Sequence, residues 1–422
     1  MSSYPVTVTT TIDFSTGASF GYPFILGSAL SGILDTDVLA DLPSNIVDVS
    51  SQVGKISIKG GYNLILGQFQ AATATIRIYD QTGNWNPQNT ASPYYPNLIP
   101  MRKIRVAGTY LGVKYYLFSG YITAYNYTYP TDQNIGYVDI QASDGFRLMT
   151  LANVTTLANT YSGQDTGSRI NTILDDISWP NGLRAITTGG SETLCQADPA
   201  NARTALQAIK NVEFVEQGAF YIDGNGLATF QSRAWIMAQS GKNPTYFAND
   251  GTGINYSGIT FAHDDKLIIN DTIVTNIGGT AQEAFDQVSI NQYFQHSLHQ
   301  DQLVGLTDND ALNIARIYTA TRKDTSIRID SITLDLSTTN YSAGIVAALA
   351  QDYFMTMNIK NVGVDGTVTQ KVLQNMGQSY EITPNTFFVT FTTSEPIVNS
   401  FILNSSIYGV IGDVLGNSVL AY

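Results

Sequence analysis

The sequence has 422 residues, enough for about three domains at roughly 150 residues each, and its 43% hydrophobic content supports sizeable cores and excludes global disorder. Charged residues make up only 13%, against roughly 25% in ordinary soluble domains, so the surface is dressed in Thr, Ser, Asn, Gln and Tyr, which suits broad contact with other protein. A net charge of −13, with 21 Lys and Arg in no basic run, argues against nucleic-acid binding, whereas a neutral or acidic wall lets DNA slide past unheld.

Residues 1–145 read as strands. Lys55-Ile56-Ser57-Ile58-Lys59 alternates polar with apolar, Ala74, Ile76 and Ile78 share one face, and Val138, Ile140 and Ala142 alternate with Asp139, Gln141 and Ser143. Gly, Asn and Pro punctuate these runs, notably over 83–100. The pattern predicts an antiparallel barrel or sandwich. Residues 146–235 then read as a small α/β module. A short helix opens at Asp144-Gly145-Phe146-Arg147-Leu148. A second, capped by Ser168, runs through Ile170, Ile173, Leu174 and Ile177 until Pro180 stops it. A third starts with Asp198 as cap and Pro199 in the first turn, followed by Ala202, Leu206, Ile209 and Val212 at helical spacing. A hairpin closes the module, its strands Phe220–Ile222 and Leu227–Phe230 flanking Asp223-Gly224-Asn225-Gly226.

Strands return over 236–400, from about 254 to 290. One helix is expected from Asp308 to about Arg322, with Thr307 as cap and Asp310 completing a capping box. In the strand Ile327–Leu336 the apolar phase shifts around Asp330-Ser331, which predicts a β-bulge. Phe387, Val389 and Phe391 alternate once more. The remaining 401–422 reads as a C-terminal tail that docks on a neighbour. The fold class is therefore mainly β with an α/β insert.

Residues suited to chemistry are few. His296 and His299, three apart, would share a helical face, but Gln295, Gln300 and Asp301 around them describe a solvated surface rather than a metal site. Cys195 is the single cysteine, so no intramolecular disulfide framework exists, and nothing pairs it with a histidine for nucleophilic work. Asp175/Asp176, Asp264/Asp265 and Asp308/Asp310 are sequence neighbours, a poor match to the facing carboxyls of a glycosidase. Asp223-Gly224-Asn225-Gly226 starts like a calcium loop, but Leu227 stands where an oxygen ligand is needed. No cofactor motif is present, and neither a signal peptide nor a membrane span is expected. Tyr121, Tyr125, Tyr127 and Tyr129 alternate on one strand face, which serves either sugar stacking or, the favoured reading, cross-strand packing and subunit contact.

The segment from Ala72 to Gly108 carries a resemblance. It contains Asp80, Gly83, Trp85, Pro87, Asn89, Ser92, Pro93, Tyr94, Tyr95, Asn97, Leu98 and Pro100, followed by Arg102 and Arg105. This order resembles the minor tail proteins, or tail-tip hub family, of long-tailed bacteriophages. In that family a strand ending in Asp leads to an aspartate-glycine-aromatic-proline turn, a Ser-Pro-Tyr-Tyr stretch, an Asn-Leu-x-Pro turn and a strand of alternating Arg. Ser143-Asp144-Gly145-Phe146, Gly224–Arg233, Thr307-Asp308 with Ala311 and Ala315, Glu381-Ile382-Thr383-Pro384 and Phe401–Tyr422 match further stretches in the family's order. Asn84 and Gln81-Thr82 depart from it, standing where charged residues are common.

The resemblance implies two tail-tube-like antiparallel β-barrels with a small α/β module, and a homotrimeric hub ring at the tail tip. Such a ring adapts a sixfold tube to a threefold tip and forms part of the DNA conduit. Implied partners are the tail-tube or distal tail protein above, tip, spike or fibre proteins below, and phage DNA passing without specific binding. The implied location is the virion, with assembly in the host bacterial cytoplasm. A structural protein, not an enzyme, is the expectation; a receptor- or carbohydrate-binding tail protein is the alternative.

Overall fold

Alternation along the first third of the chain becomes a run of long strands. The computed structural model describes residues 4–20, 46–65, 67–131, 134–189, 193–240, 242–337 and 342–395. The expected C-terminal signature and docking tail, 401–422, lie outside the described residues. The protein is mostly β, 42% strand and 21% helix, with a large antiparallel sheet.

The first seven strands are β1 (Thr7–Asp13), β2 (Ile46–Asp48), β3 (Val53–Asn63), β4 (Gln68–Tyr79), β5 (Lys103–Tyr110), β6 (Val113–Thr128) and β7 (Tyr137–Ser143). Period-2 patterning works as expected here. Ile56 and Ile58 on β3, Ala74, Ile76 and Ile78 on β4, and Val138, Ile140 and Ala142 on β7 are all buried in one core. Each fully buried Val or Ile side chain contributes about 1.5–3 kcal/mol relative to exposure.

The middle of the chain holds α1 (Phe146–Leu151), β8 (Asn153–Val154), β9 (Gln164–Asp165), α2 (Thr166–Asp176), β10 (Arg184–Ile186), β11 (Leu194–Cys195) and β12 (Arg203–Thr204). It continues with α3 (Ala205–Glu216), β13 (Ala219–Ile222), β14 (Ala228–Gln231) and α4 (Arg233–Ser240). Strand β14 pairs β13 antiparallel, with Ile222 opposite Ala228 across the expected turn, and β10 in parallel. Two caps differ from expectation. Asp165, not Ser168, caps α2, its carboxylate accepting from the Ser168 amide. Thr204, not Asp198, caps α3 in a reciprocal box with Gln207, while Asp198 pairs with Arg203. In both places several oxygen-bearing side chains precede the helix. Position relative to the first turn decides which one caps, and sequence spacing alone leaves that open.

The last part contains β15 (Thr245–Ala248), β16 (Gly258–Ala262), β17 (Asp271–Asn276), β18 (Gln282–Phe285), α5 (Gln287–Tyr293), β19 (Ser297–Leu303) and α6 (Asp308–Arg322). Then follow β20 (Arg328–Asp335), α7 (Ser342–Ala350), β21 (Thr356–Val362), β22 (Val368–Ile382) and β23 (Phe387–Ser394). Helix α6 has the expected bounds and cap, with Thr307 and Asp310 bonded reciprocally. The expected bulge is also present. Thr260 pairs Ser331 and Phe261 pairs Ile329, so Asp330 is the residue left over.

The main sheet runs in the order β16-β20-β23-β22-β3-β4-β7-β6-β5-β1-β2, with β21 and β15 branching from β22. The join between early and late strands is the antiparallel pair β3–β22, from Ile56 opposite Ile382 to Gly61 opposite Gly377. One core therefore takes side chains from both ends of the chain, and Tyr4 meets Phe387 edge-on at 5.6 Å. A second core holds the middle elements together with Val274, Ala311, Ile314, Tyr318 and Phe354.

Candidate assembly site

Strand β4 ends at Asp80, a residue only 2% exposed. Its carboxylate accepts backbone N–H groups from Thr82 at 3.2 Å, Asn84 at 3.0 Å and Trp85 at 2.8 Å, folding the chain into a tight hook. Gly83 lies in that hook with φ 75°, a conformation that costs side-chain-bearing residues steric strain. The hook drives Trp85 inward, where its indole N–H donates to Gln52 at 2.7 Å and its ring lies 4.5 Å from Tyr94. Tyr94 in turn stacks on Phe14 at 5.7 Å. Asn89 donates to the Gly83 carbonyl at 3.0 Å and the Ser92 hydroxyl to the Asn84 carbonyl at 2.5 Å, so the loop closes on itself. The Asn97 amide donates to the Tyr94 carbonyl at 2.7 Å, its own carbonyl accepts from Arg102 at 3.4 Å, and Leu98 is buried.

The loop thus has two sides. Asp80, Trp85, Ser92 and Leu98 build its interior, while Pro93, Tyr95, Ile99 and Pro100 face outward and Pro87 is half-buried. Exposed Tyr95 and Ile99 on such a rigid frame suit contact with a protein partner. Beside it the Arg105 guanidinium lies over the rings of Phe20 at 4.7 Å and Tyr116 at 5.0 Å.

Asp144 and its neighbours tie the main sheet to the middle elements. The Asp144 carboxylate accepts from the Ala72 amide of β4 at 2.7 Å and from the Phe146 amide of α1 at 3.0 Å. Burial pushes this carboxyl up to about 7, against the opposing pull of those two amides and of Lys210. A side chain at Gly145 would meet the Trp179 ring at 2.7 Å, so glycine is required there. Phe146 stacks on Phe220 at 5.6 Å, with the Lys210 ammonium 4.8 Å from its ring. Lys210 pairs with Glu213 at 2.8 Å; burial lowers the ammonium and raises the carboxyl.

The tyrosine face expected on β6 is divided. Register slips between Ile122 and Ala124, leaving Thr123 over, so Tyr121 sits opposite Ser143 while Tyr125 and Tyr127 sit opposite Ile140 and Val138. Tyr125 and Tyr127 pack against the main core, and the Tyr121 hydroxyl donates to Ala18 at 2.6 Å from the other side. Tyr129 lies beyond the strand, bonded to Asn86 and Gln88.

The candidate chemical groups are scattered. His296 follows α5 and contacts the Tyr293 carbonyl at 3.0 Å, whereas His299 lies on β19, so no helical face holds both. Among the described residues no cluster of His, Cys, Asp and Glu could hold a metal. Cys195 is buried, its thiol pushed up to about 12 by burial, which leaves it unreactive. Asp175 pairs with Arg184, Asp264 with Arg328, and the Asp308 carboxylate accepts from the Thr280 amide. Asp223 accepts from the Leu227 amide at 2.8 Å and serves its turn.

Sheet edges complete the surface. Among the described residues β16 pairs only β20 at one end of the path, and β2 pairs only β1 at the other. Sequence reading did not find these edges, because they are defined by which strands lack partners. It also missed Phe294, 84% exposed at φ 64°, whose carbonyl is held by Asn270 at 2.8 Å. No helix among the described residues is long and apolar enough to cross a membrane.

No protein-family model matches the sequence, and no curated protein matches it. Solved structures do. The tail protein from Neisseria meningitidis MC58 superposes with a TM-score of 0.50 at 9% identity, over 82% of this chain and 93% of its own. The 43 kDa tail protein of prophage MuSo2 from Shewanella oneidensis gives a TM-score of 0.50 at 9% identity, over 83% and 95%. A lidless PdpA-VgrG complex matches at 0.50 and 10% identity, over 92% of this chain and 64% of the matched one. Continuity of the fold over almost the whole length of two tail proteins, one of them from a prophage, at so low an identity, means that architecture is what is shared: this chain has the fold of these tail proteins.

Proposed function

We propose that this protein is a structural component of a phage virion, a trimeric hub ring at the distal end of the tail tube. In this reading 1–145 and 236–400 supply two tube-like β units per chain, with 146–235 as the α/β module between them. Three chains then present six such units to a sixfold tube and a threefold face to the tip. The observation that carries the reading is the join of β3 to β22, which brings early and late strands side by side in one sheet. Sheets of more than about ten strands curl or split, which favours closure around a channel.

Ring assembly uses the sheet ends. The open edges of β16 and β2 pair between units, since an exposed strand edge is a ready template for another strand. The motif from Asp80 to Pro100, together with Asp144, Gly145 and Phe146, is structural: it holds an outward loop and anchors the module. A tail-tube or distal tail protein docks above and tip, spike or fibre proteins below. The net charge of −13 suits a wall past which phage DNA slides without being held. The protein acts mechanically rather than as an enzyme, and it assembles in the host cytoplasm. Sugar recognition is disfavoured, because the tyrosines offered for it fall on opposite faces of β6.

Native mass measurement of the purified protein tests the ring. A mass three times the 45.8 kDa of one chain is expected. A monomer that persists at high concentration and low salt contradicts it.

A further inference from the structure

Strands β4 and β22 both run antiparallel to β3, so Tyr79 and Ile382 close them at one end of the main sheet. The two connections at that end are unequal. Strand β22 returns as β23 through 383–386, a turn closed by the Thr383 amide donating to the Thr386 carbonyl at 2.9 Å. Strand β4 returns as β5 only after 80–102, which contain the hook and the outward loop. Among the described residues this loop has no counterpart between β22 and β23.

The same end collects exposed apolar side chains. Tyr95 and Ile99 project from the loop, Tyr79 ends β4, and Tyr129 and Ile135 lie in the connection from β6 to β7. These pieces are tied together. The Tyr129 hydroxyl accepts from Asn86 at 3.3 Å and donates to Gln88 at 3.1 Å, while the Asp80 amide donates to the Gly136 carbonyl at 2.8 Å. Positions 81–101 hold no Asp, Glu, Lys or Arg. Depleted charge with exposed tyrosine is the composition of an interface core. The loop is also set before any partner arrives. The amides of Asn86, Asn89, Ser92 and Tyr95 each donate to the carbonyl three residues back, so little ordering entropy remains to be lost on binding.

We infer that this end of the sheet is the docking surface for the protein distal to the ring, which meets it through an uncharged, apolar face repeated three times. The inference rests on the ring reading and names its distal contact. Copies paired along β2 and β16 place their hydrogen bonds around the channel and their strand ends on the two rims. The patch lies at strand ends and includes no residue of either edge strand, so it meets the next layer rather than a neighbouring copy. Its number selects the layer. Two units per chain offer a sixfold tube six positions, and the loop stands at three of them. A threefold partner meets the same loop at every contact.

Tails assembled with full-length protein carrying Tyr95→Asp and Ile99→Asp together test the inference. Leu111→Asp, on the exposed turn between β5 and β6 at the far end of the sheet, is the control. The double variant should keep a trimeric native mass and its place on the tube, while density beyond the ring in negative-stain images falls several-fold. Ile135→Asp, which leaves the loop intact, carries the same expectation, and Leu111→Asp should retain the density. Unchanged distal density on both patch variants overturns the proposal. So does a native mass of one chain for both, because the patch then joins copies, and so does loss of the tube from rings that keep their distal density. A wild-type protein that is itself monomeric removes the ring reading instead, so the two failures read differently.

Discussion

Asp144 is where the physical chemistry of single residues is most exposed. Its carboxylate joins a strand amide to a helix amide, yet burial favours the neutral acid and pushes it up to about 7. A carboxyl whose folded value exceeds its free value near 4 adds most stability below pH 4, and that stability drains as pH rises through 7. Asp144→Asn removes the titration and places a donor NH₂ where one amide now donates. The variant should be destabilised by about 1–3 kcal/mol at pH 4.5, with a smaller deficit at pH 8. Urea unfolding of both proteins at the two pH values measures this; a deficit that grows with pH contradicts the burial argument. Trp85 makes a contrasting case. Its ring packs in the main core beside Tyr94 and bonds Gln52, so its truncation acts through lost packing.

At the scale of elements, glycines on facing strands govern the join. Gly61 has φ 148°, and a side chain there would lie 2.4 Å from the Gly377 backbone. Gly61→Ala should therefore cost on the order of 2–4 kcal/mol. Gly112→Ala, in an open turn at φ 80°, should cost about 1 kcal/mol. Thermal unfolding of the pair tests this, and equal losses would mean that β3 and β22 separate easily. Much at this scale was legible in the sequence, and the reason is locality. The capping box at Thr307 and the bulge at Asp330 are written within a few residues and appear where expected. The hook at Asp80 was legible only as a resemblance, since no periodicity marks it. The caps of α2 and α3 were misplaced because several competent side chains crowd each start. The tyrosine face on β6 was misread because one extra residue, Thr123, reverses the parity that alternation assumes. The joining of β3 to β22 had no local signal at all. Nothing near Ile56 or Ile382 states that they are partners.

For the whole molecule, the proposed function rests on how early and late strands share a sheet and a core. The described chain has long antiparallel ladders, a module pinned by Asp144 and Phe146, and strand edges left unpaired at both ends of the sheet path. Such a body suits the proposed assembly with copies of itself. Several of its buried ionisable groups hold turns or ion pairs, Asp80 and Glu213 among them, and the chain is short of charge. Electron cryo-microscopy of the assembled tail, with this chain located in the density, tests the proposal most directly. Three copies encircling the channel at the distal end of the tube are predicted. Copies set on peripheral fibres, or six identical copies forming a tube layer, would contradict it.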